Sequence, residues 1–245
     1  MKMPKREQYE VNIFEELPST HLYLKERYQE KRNRIVSAYS QTLGMGTKGR
    51  SFSSQTGGVY LSVLTFYEDF PSKQAFEIMQ NCAVSVCETL SAYGIEARIK
   101  WPNDIHANGK KICGILIENR FEQNKVRSSL VGIGVNVYNP LPEDLSGIAT
   151  NMSQVLGTTF DRVDVEEVRE KLLQNLFTEK SDLSKRYQSY LGYVGEEIIL
   201  LSGDERIPAT LLSVTDTGGL IAKTAEGEKI FYSAEVSLRL KREEV

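Results

Sequence analysis

Residues 100–118, KWPNDIHANGKKICGILIE, constrain the fold of this chain more tightly than any other stretch. Asn108-Gly109 is the pair favoured by a two-residue type I′ hairpin turn, in which both residues take φ > 0. The apolar run at 112–117 has strand length, so Lys111 stands where a strand enters a sheet. Simple alternation predicts Lys111, Cys113 and Ile115 on one face and Ile112, Gly114 and Leu116 on the other. A lysine at the edge of an apolar face either snorkels to solvent or waits in a cleft for a carboxylate or phosphate. Pro102-Asn103-Asp104, next to the single tryptophan Trp101, reads as a turn because Asn and Asp side chains cap nearby backbone groups.

The flanking chain supplies the rest of a sheet. Residues 11–14 predict a short strand, and Ser19-Thr20 provide an N-cap for a helix-favouring run. A strand over 34–40 delivers Gln41 to a glycine-rich loop, GMGTKGRSF at 44–52. Its glycines let the main chain approach a ligand, and Lys48 and Arg50 add charge suited to phosphate. Taken alone such a loop is more often a flexible connector, and it is not a Walker loop, since no Gly-Lys-Ser/Thr run opens a helix. Residues 58–66 alternate as a β-branched strand. Residues 71–94 predict a helix capped by Ser72 and stopped at Gly94, with Phe76, Met79, Ala83, Val86, Cys87 and Leu90 on its apolar face.

A strand at 97–101 leads into the central stretch, and 116–120 with 126–137 form a hairpin. Glycines in GIGVN, 132–136, mark a bulge or the close approach of another group. Asp164 with Glu167 suggests a capping box opening a helical pattern over 165–187. From about Gly195, short strands with tight turns read as a small SH3-like barrel.

A net charge of −3 gives no electrostatic reason to expect nucleic-acid binding. No apolar run reaches the roughly 18 residues of a membrane span, and no secretory signal follows the start, which predicts a cytoplasmic protein. Cys82, Cys87 and Cys113 are odd in number, lack metal-type spacing and read as reduced buried thiols.

KWPNDI followed after a short hairpin by KICGIL resembles the central signature of biotin protein ligases, which activate biotin with ATP and attach it to a carrier-protein lysine. Ser19-Thr20, Gln41 with the 44–52 loop, GIGVN and AEVSLR at 234–239 match further segments in the family's order. The resemblance implies an α+β fold: a mixed central sheet with flanking helices, of the class II synthetase-like type, over residues 1–190, and an SH3-like β-barrel over 191–245. It implies biotin contacts from Ser19, Thr20, Gln41, Gly44, Lys111, Gly114, Gly132 and Gly134. The N-terminus of the helix after Ser19 is expected to present free N–H groups to this ligand. ATP contacts are implied for Lys48, Arg50, Phe52, Lys100, Asn103, Asp104, Asn136, Glu235 and Arg239, with Lys111 and Arg50 in catalysis. Asp104 is a weak candidate for magnesium, which travels with the nucleotide.

The partner implied is the biotin carboxyl carrier protein domain of a carboxylase, and a homodimer is one option for the assembly. Fewer than about 20 residues precede Ser19, which leaves no room for the helix-turn-helix of the family's repressors and predicts a ligase without DNA-binding activity.

The chain departs from the family at Pro18 and His21, where Asp and Asn are usual, and at Phe52, where tryptophan is usual. Met45 and Thr47 replace two loop arginines, which removes bidentate partners for phosphate and predicts an acyl-adenylate held less firmly. Two alternatives follow: a non-catalytic biotin- or carrier-binding protein, and a lipoate ligase, against which the KWPND signature speaks.

Overall fold

The computed structural model describes residues 3–233 and 236–240. Twelve strands and five α-helices are found among the described residues, with the strands in two sheets. The larger has the order β1-β2-β3-β7-β6-β5-β4. Its strands are β1 (Glu10–Leu17), β2 (Arg34–Gln41), β3 (Gly58–Phe66), β4 (Ala97–Lys100), β5 (Asp104–Ala107), β6 (Lys110–Glu122) and β7 (Lys125–Asn136). β1 runs parallel to β2 and every other pairing is antiparallel, so the sheet is mixed.

Its two faces are covered differently. One packs on α2 (Phe76–Ala92) and α4 (Arg162–Phe177), burying Leu61, Val63, Ile105, Ile115 and Ile133 against Ile78, Val86, Leu90, Val168 and Leu172. The other is covered only in part by the short α1 (Thr20–Glu26), which buries Leu24 on Val36, Leu64 and Leu130. Beyond the end of α1 that face stays open, because Ser62, Gly132, Gly134 and Gly114 stand where larger apolar residues would extend the cluster.

Several local expectations are corrected. Ser72 opens a separate 3-10 turn, Ser72–Gln74, and α2 begins after Ala75 with no side-chain cap, because the turn feeds straight into it. The capping box lies three residues earlier than predicted: Asp161 accepts from Val163 N and Asp164 N, and Asp164 Oδ2 accepts from Asp161 N at 2.6 Å. The helical pattern at 165–187 is two helices, α4 and α5 (Leu183–Tyr190). Between them Lys180 turns inward, donating to Asn81 Oδ1 at 3.1 Å and Ser85 Oγ at 3.0 Å, and Asp182 takes φ +52°. An unforeseen helix, α3 (Met152–Leu156), is capped by Asn151, whose Oδ1 accepts from Gln154 N at 2.9 Å. Cys82, Cys87 and Cys113 are free and buried, and burial pushes the Cys82 thiol up to about 12.

The second sheet is antiparallel, in the order β11-β10-β9-β8-β12. It comprises β8 (Glu197–Ser202), β9 (Glu205–Val214), β10 (Leu220–Thr224), β11 (Gly227–Phe231) and β12 (Ser237–Leu240). This matches the small C-terminal β-unit expected, although β11 and β12 remain its edges among the described residues. Trp101, 2% exposed, ties the sheets together by donating from Nε1 to Gly218 O at 3.0 Å. Gly218 has φ +90°, and a Cβ there would stand 2.5 Å from Phe76 Cδ2, so glycine is required twice over.

Candidate active site

Cross-strand register builds the floor of a slot on the open face. Tyr60 lies opposite Gly134, Gly134 opposite Gly114, and Gly114 opposite Asp104, giving one row over four strands. Ser62, Gly132 and Leu116 form the next row. Three glycines in this patch remove side-chain volume, and the slot they form, open to solvent on one side, spans about 480 Å³ with that opening included. α1 and the glycine-rich loop wall it: Ser19, Thr20 and His21 line one side with Gln41, and Met45, Gly46, Thr47 and Phe52 the other.

The end nearest α1 is held by a linked set of hydrogen bonds. Gln41 Oε1 accepts from Thr20 N at 2.8 Å and from Thr20 Oγ1 at 3.1 Å, while Gln41 Nε2 donates to Ser54 Oγ at 2.9 Å. Thr20 Oγ1 also lies 2.8 Å from Ser62 Oγ. The helix amides are therefore less open than expected, since Leu22 N is likewise turned toward Ser19 Oγ at 3.4 Å.

Lys111 reaches this face through a β-bulge. Ile105 pairs with Cys113 but His106 pairs with Lys111, leaving Ile112 as an extra residue on β6. Ile112 and Cys113 are both fully buried, and Lys111 lies on the Gly114 face, where a glycine Cβ would be 3.1 Å from its Nζ. The alternation predicted from sequence is thus inverted for this lysine, by a feature that commonly re-aims a side chain. The bulged backbone is satisfied by the segment before α3: Lys111 N donates to Ile148 O at 2.8 Å, and Thr150 N to Lys111 O at 2.9 Å. The Asn108-Gly109 turn takes φ +49° and +76°, as its sequence predicts.

Lys111 Nζ forms an ion pair with Asp104 Oδ1 at 2.7 Å, the two side chains being 32% and 27% exposed. Asn103 fixes the turn before them, donating from Nδ2 to Ile115 O at 2.7 Å and accepting from Ile115 N at 2.9 Å. Phe52 lies across the glycine floor, with Cε1 2.5 Å from a Cβ on Gly134 and Cε2 3.3 Å from one on Gly114. Lys111 Nζ stands 5.8 Å from the centre of that ring.

Past Lys111 the slot gives onto two larger hollows of about 1260 and 1100 Å³, both open to solvent. Arg50, Lys100, Asp104 and Arg239 line both. The first is closed by Leu141, Leu145, Ile148 and Ala149, and the second runs beneath the small sheet past Trp101, Gly218 and Tyr232. The site therefore has an uncharged pocket, a single lysine at its exit, and a basic region beyond. Such an arrangement holds a ligand with an apolar body and an anionic tail next to a polyanion.

A profile of the Biotin/lipoate A/B protein ligase family matches residues 13–136. The chain belongs to that family. The Biotin protein ligase C terminal domain matches residues 193–239. Bifunctional ligase/repressor BirA of Bacillus subtilis is 35% identical over 214 residues, and this alignment takes in 83% of the present chain and 66% of that protein. Biotin--[acetyl-CoA-carboxylase] ligase of Paracoccus denitrificans is 29% identical over 213 residues, covering 82% and 88%. Among solved structures, biotin protein ligase from Aquifex aeolicus in complex with biotin and ATP superposes with a TM-score of 0.74 at 32% identity, covering 94% of this chain and 99% of that one.

Of the residues singled out by resemblance to the ligase family, Ser19, Thr20, Gln41, Lys111, Gly114, Gly132 and Gly134 line the slot. Gly44 does not. It sits behind the loop, where a Cβ would come within 2.2 Å of Phe52 O, and it serves the close backbone pairing that aims Phe52. Lys48, Arg50, Lys100, Asn103, Asp104 and Arg239 line the outer hollows, whereas Glu235 lies outside the described residues.

Asn136 lines the first hollow but both ends of its amide are committed, Nδ2 donating to Thr150 O at 3.0 Å and Oδ1 accepting from Asn139 Nδ2 at 3.1 Å. Thr47, where ligases commonly carry arginine, accepts from Arg50 at O (3.3 Å) and Oγ1 (3.1 Å), drawing that guanidinium onto the loop itself. Sequence reasoning missed Tyr60, Ser62 and the wall at 141–149. The first two were available from the alternation of β3 against GIGVN. The wall carries no local signal, because its place depends on the bulge at Lys111.

Proposed function

We propose that this chain is an ATP-dependent biotin protein ligase, and that Lys111 joins its two substrate pockets. The observation that carries this reading is the position of Lys111, at the mouth of a glycine-floored slot and at the edge of a basic hollow. The Aquifex relative, matched over nearly its whole length, is a biotin and ATP complex. Residues 1–190 form the biotin and ATP unit, and 191–245 the small unit that closes the nucleotide side.

Biotin's ring system takes the slot over Gly132 and, with the Phe52 ring swung off them, over Gly114 and Gly134, its polar end toward Thr20, Gln41 and Ser62, its carboxylate toward Lys111. Lys48, Arg50, Lys100 and Arg239 face the phosphates, and Asn103 with Asp104 and Asn136 shapes the nucleotide side. Magnesium enters with ATP as part of the substrate. The described residues contain no group of three or more metal-ligating side chains, and the single Asp104 carboxylate fits an ion carried mainly by phosphate oxygens and water.

In the first step a carboxylate oxygen of biotin attacks the α-phosphorus, the bond to the bridging oxygen breaks, and pyrophosphate leaves. In the second the amine of a carrier lysine attacks the acyl carbon, AMP leaves, and the amine proton passes to solvent. The protein aligns two anions that repel each other and neutralises charge gathering between them. Lys111 does both. Asp104 holds its ammonium in place until the anions arrive. The acceptor is the carrier domain of a biotin-dependent carboxylase, and the reaction is cytoplasmic, a reading supported by three buried free thiols. Pyrophosphate release that requires biotin tests the first step; ATP turnover indifferent to biotin would remove it.

A further inference from the structure

His106 has no part in the chemistry above, although it stands on β5 two residues after Asp104, on the same open face, and opposite Lys111 at the bulge. It lines the first hollow beside Arg50, Lys100 and Asn136, yet only 3% of it is exposed. A buried imidazole needs a partner, and Nδ1 lies 2.8 Å from the hydroxyl of Tyr193. The two rings meet edge to face, with 5.8 Å between centres and 81° between planes. A hydroxyl both gives and accepts, so this bond stands in either neutral tautomer and in the charged ring. The imidazole is an anchor here, not a proton carrier.

Tyr193 lies in the link between α5 and β8, residues 191–196, by which the chain passes from the large sheet to the small one. It takes φ +66°. A bulky aromatic residue in the left-handed region is strained, and such strain persists only where the surroundings impose it. The surroundings hold the link from both sides. Before Tyr193, Leu191 bridges to Ile99 and Gly192 N donates to Ile99 O at 2.9 Å, which lays the link along β4, whose Arg98 pairs with His106. After it, Glu196 N donates to Tyr193 O at 3.1 Å, and Gly195 N to Leu211 O on β9 at 2.8 Å.

The link leads directly to the nucleotide side. β8 starts at Glu197, and its Ile199 pairs with Arg239 on β12. Arg239 lines both hollows. A short hydrogen-bonded path thus runs from His106 through Tyr193 and β8 to Arg239, and both of its ends face the first hollow.

We propose that His106 is a positioning residue for adenylation: by holding Tyr193 in its strained turn it fixes the small sheet against the large one and sets Arg239 at the phosphates. This rests on the ligase reading above. Biotin, in a slot that His106 does not line, is indifferent to it.

The test is a double-mutant cycle on the full chain, read as the ATP KM and kcat of biotin-dependent pyrophosphate release, with biotin affinity followed by calorimetry. Tyr193→Phe removes only the hydroxyl, and His106→Leu removes its partner. Each should raise the ATP KM about fivefold, the loss of one hydrogen bond. Both kcat and biotin affinity should stay within about twofold of wild type. His106→Asn, which keeps a polar group near the Nδ1 position, should recover most of the ATP KM. Arg239→Gln should raise the ATP KM by itself, and adding Tyr193→Phe to it should change that value by less than about twofold, because no guanidinium is left to place. A merely structural loss would be the same in both backgrounds. Should His106→Leu fail to fold, Tyr193→Phe and His106→Asn carry the test. An ATP KM within about twofold of wild type in folded Tyr193→Phe, or an equal loss with and without Arg239, would overturn the assignment while leaving the ligase reading intact. A folded wild type that releases no pyrophosphate from ATP with biotin present would overturn both.

Discussion

Replacing Lys111 by methionine removes the charge at the junction of the two pockets and keeps most of the side-chain volume. The cost to the fold is small. The pair with Asp104 is about one third exposed on each side, so its loss is worth about 1 kcal/mol after solvent screening. For a chain of this size that lowers the melting temperature by roughly 2–4 °C. The cost to adenylation is larger. A unit charge about 4 Å from a developing negative charge contributes about 4 kcal/mol at an effective dielectric constant near 20. Only the part gained in the transition state affects the rate, and removing one such stabilising group typically slows a reaction by about 10²–10³.

The assay is single-turnover formation of biotinyl-AMP from biotin and ATP, quenched and resolved by chromatography, with circular dichroism to confirm the fold. Transfer from synthetic biotinyl-AMP to a carrier should suffer much less, since the anhydride is already formed. A folded Lys111→Met protein whose adenylation rate stays within about threefold of wild type would refute the role assigned to this lysine.

Gly44→Ala places a methyl 2.2 Å from Phe52 O, so the 44–52 loop must open; biotin affinity should drop about tenfold with little change in global stability, read by calorimetry and thermal melting. Thr47→Arg restores a guanidinium beside the phosphates, and free biotinyl-AMP escaping into solution should fall several-fold, while undetectable escape from the wild type would contradict the expectation drawn from Met45 and Thr47. Trp101→Phe removes the bond to Gly218 O and should cost about 2 kcal/mol in denaturant unfolding. His21 is held below its usual 6.5 in the folded chain by burial, so the unfolded chain binds a proton that the folded chain resists. Stability is then full above about pH 6.5 and declines as pH falls through that value toward the folded one, a decline that His21→Asn should flatten.

Much of the sheet was legible because its signals are local. The Asn108-Gly109 turn, the β-branched run of β3 and the hairpin of β6 and β7 each carry a pattern within a few residues. The bulge at Ile112 does not: it arises where β5 must meet both the hairpin turn and the Asn103–Ile115 pairing, and it turned Lys111 to the face opposite the one simple alternation gives. The break between α4 and α5 was hidden for a similar reason, since Lys180 turns inward only because Asn81 and Ser85 wait on α2. Among site residues, the glycines and Lys111 were found through the family signature. The hydrogen-bond set that joins Thr20, Gln41, Ser54 and Ser62 needed the packing of α1 onto β3, and so did the placing of His21 against Glu118.

The central claim is ligation, and the most direct measurement is mass spectrometry of a biotin carboxyl carrier domain incubated with the full chain, biotin and MgATP, with pyrophosphate followed in parallel. A ligase adds one biotin to one carrier lysine and releases pyrophosphate only when biotin is present. Tight biotin binding with no pyrophosphate and an unmodified carrier would contradict it, and would leave a protein that keeps the ligase fold as a biotin receptor.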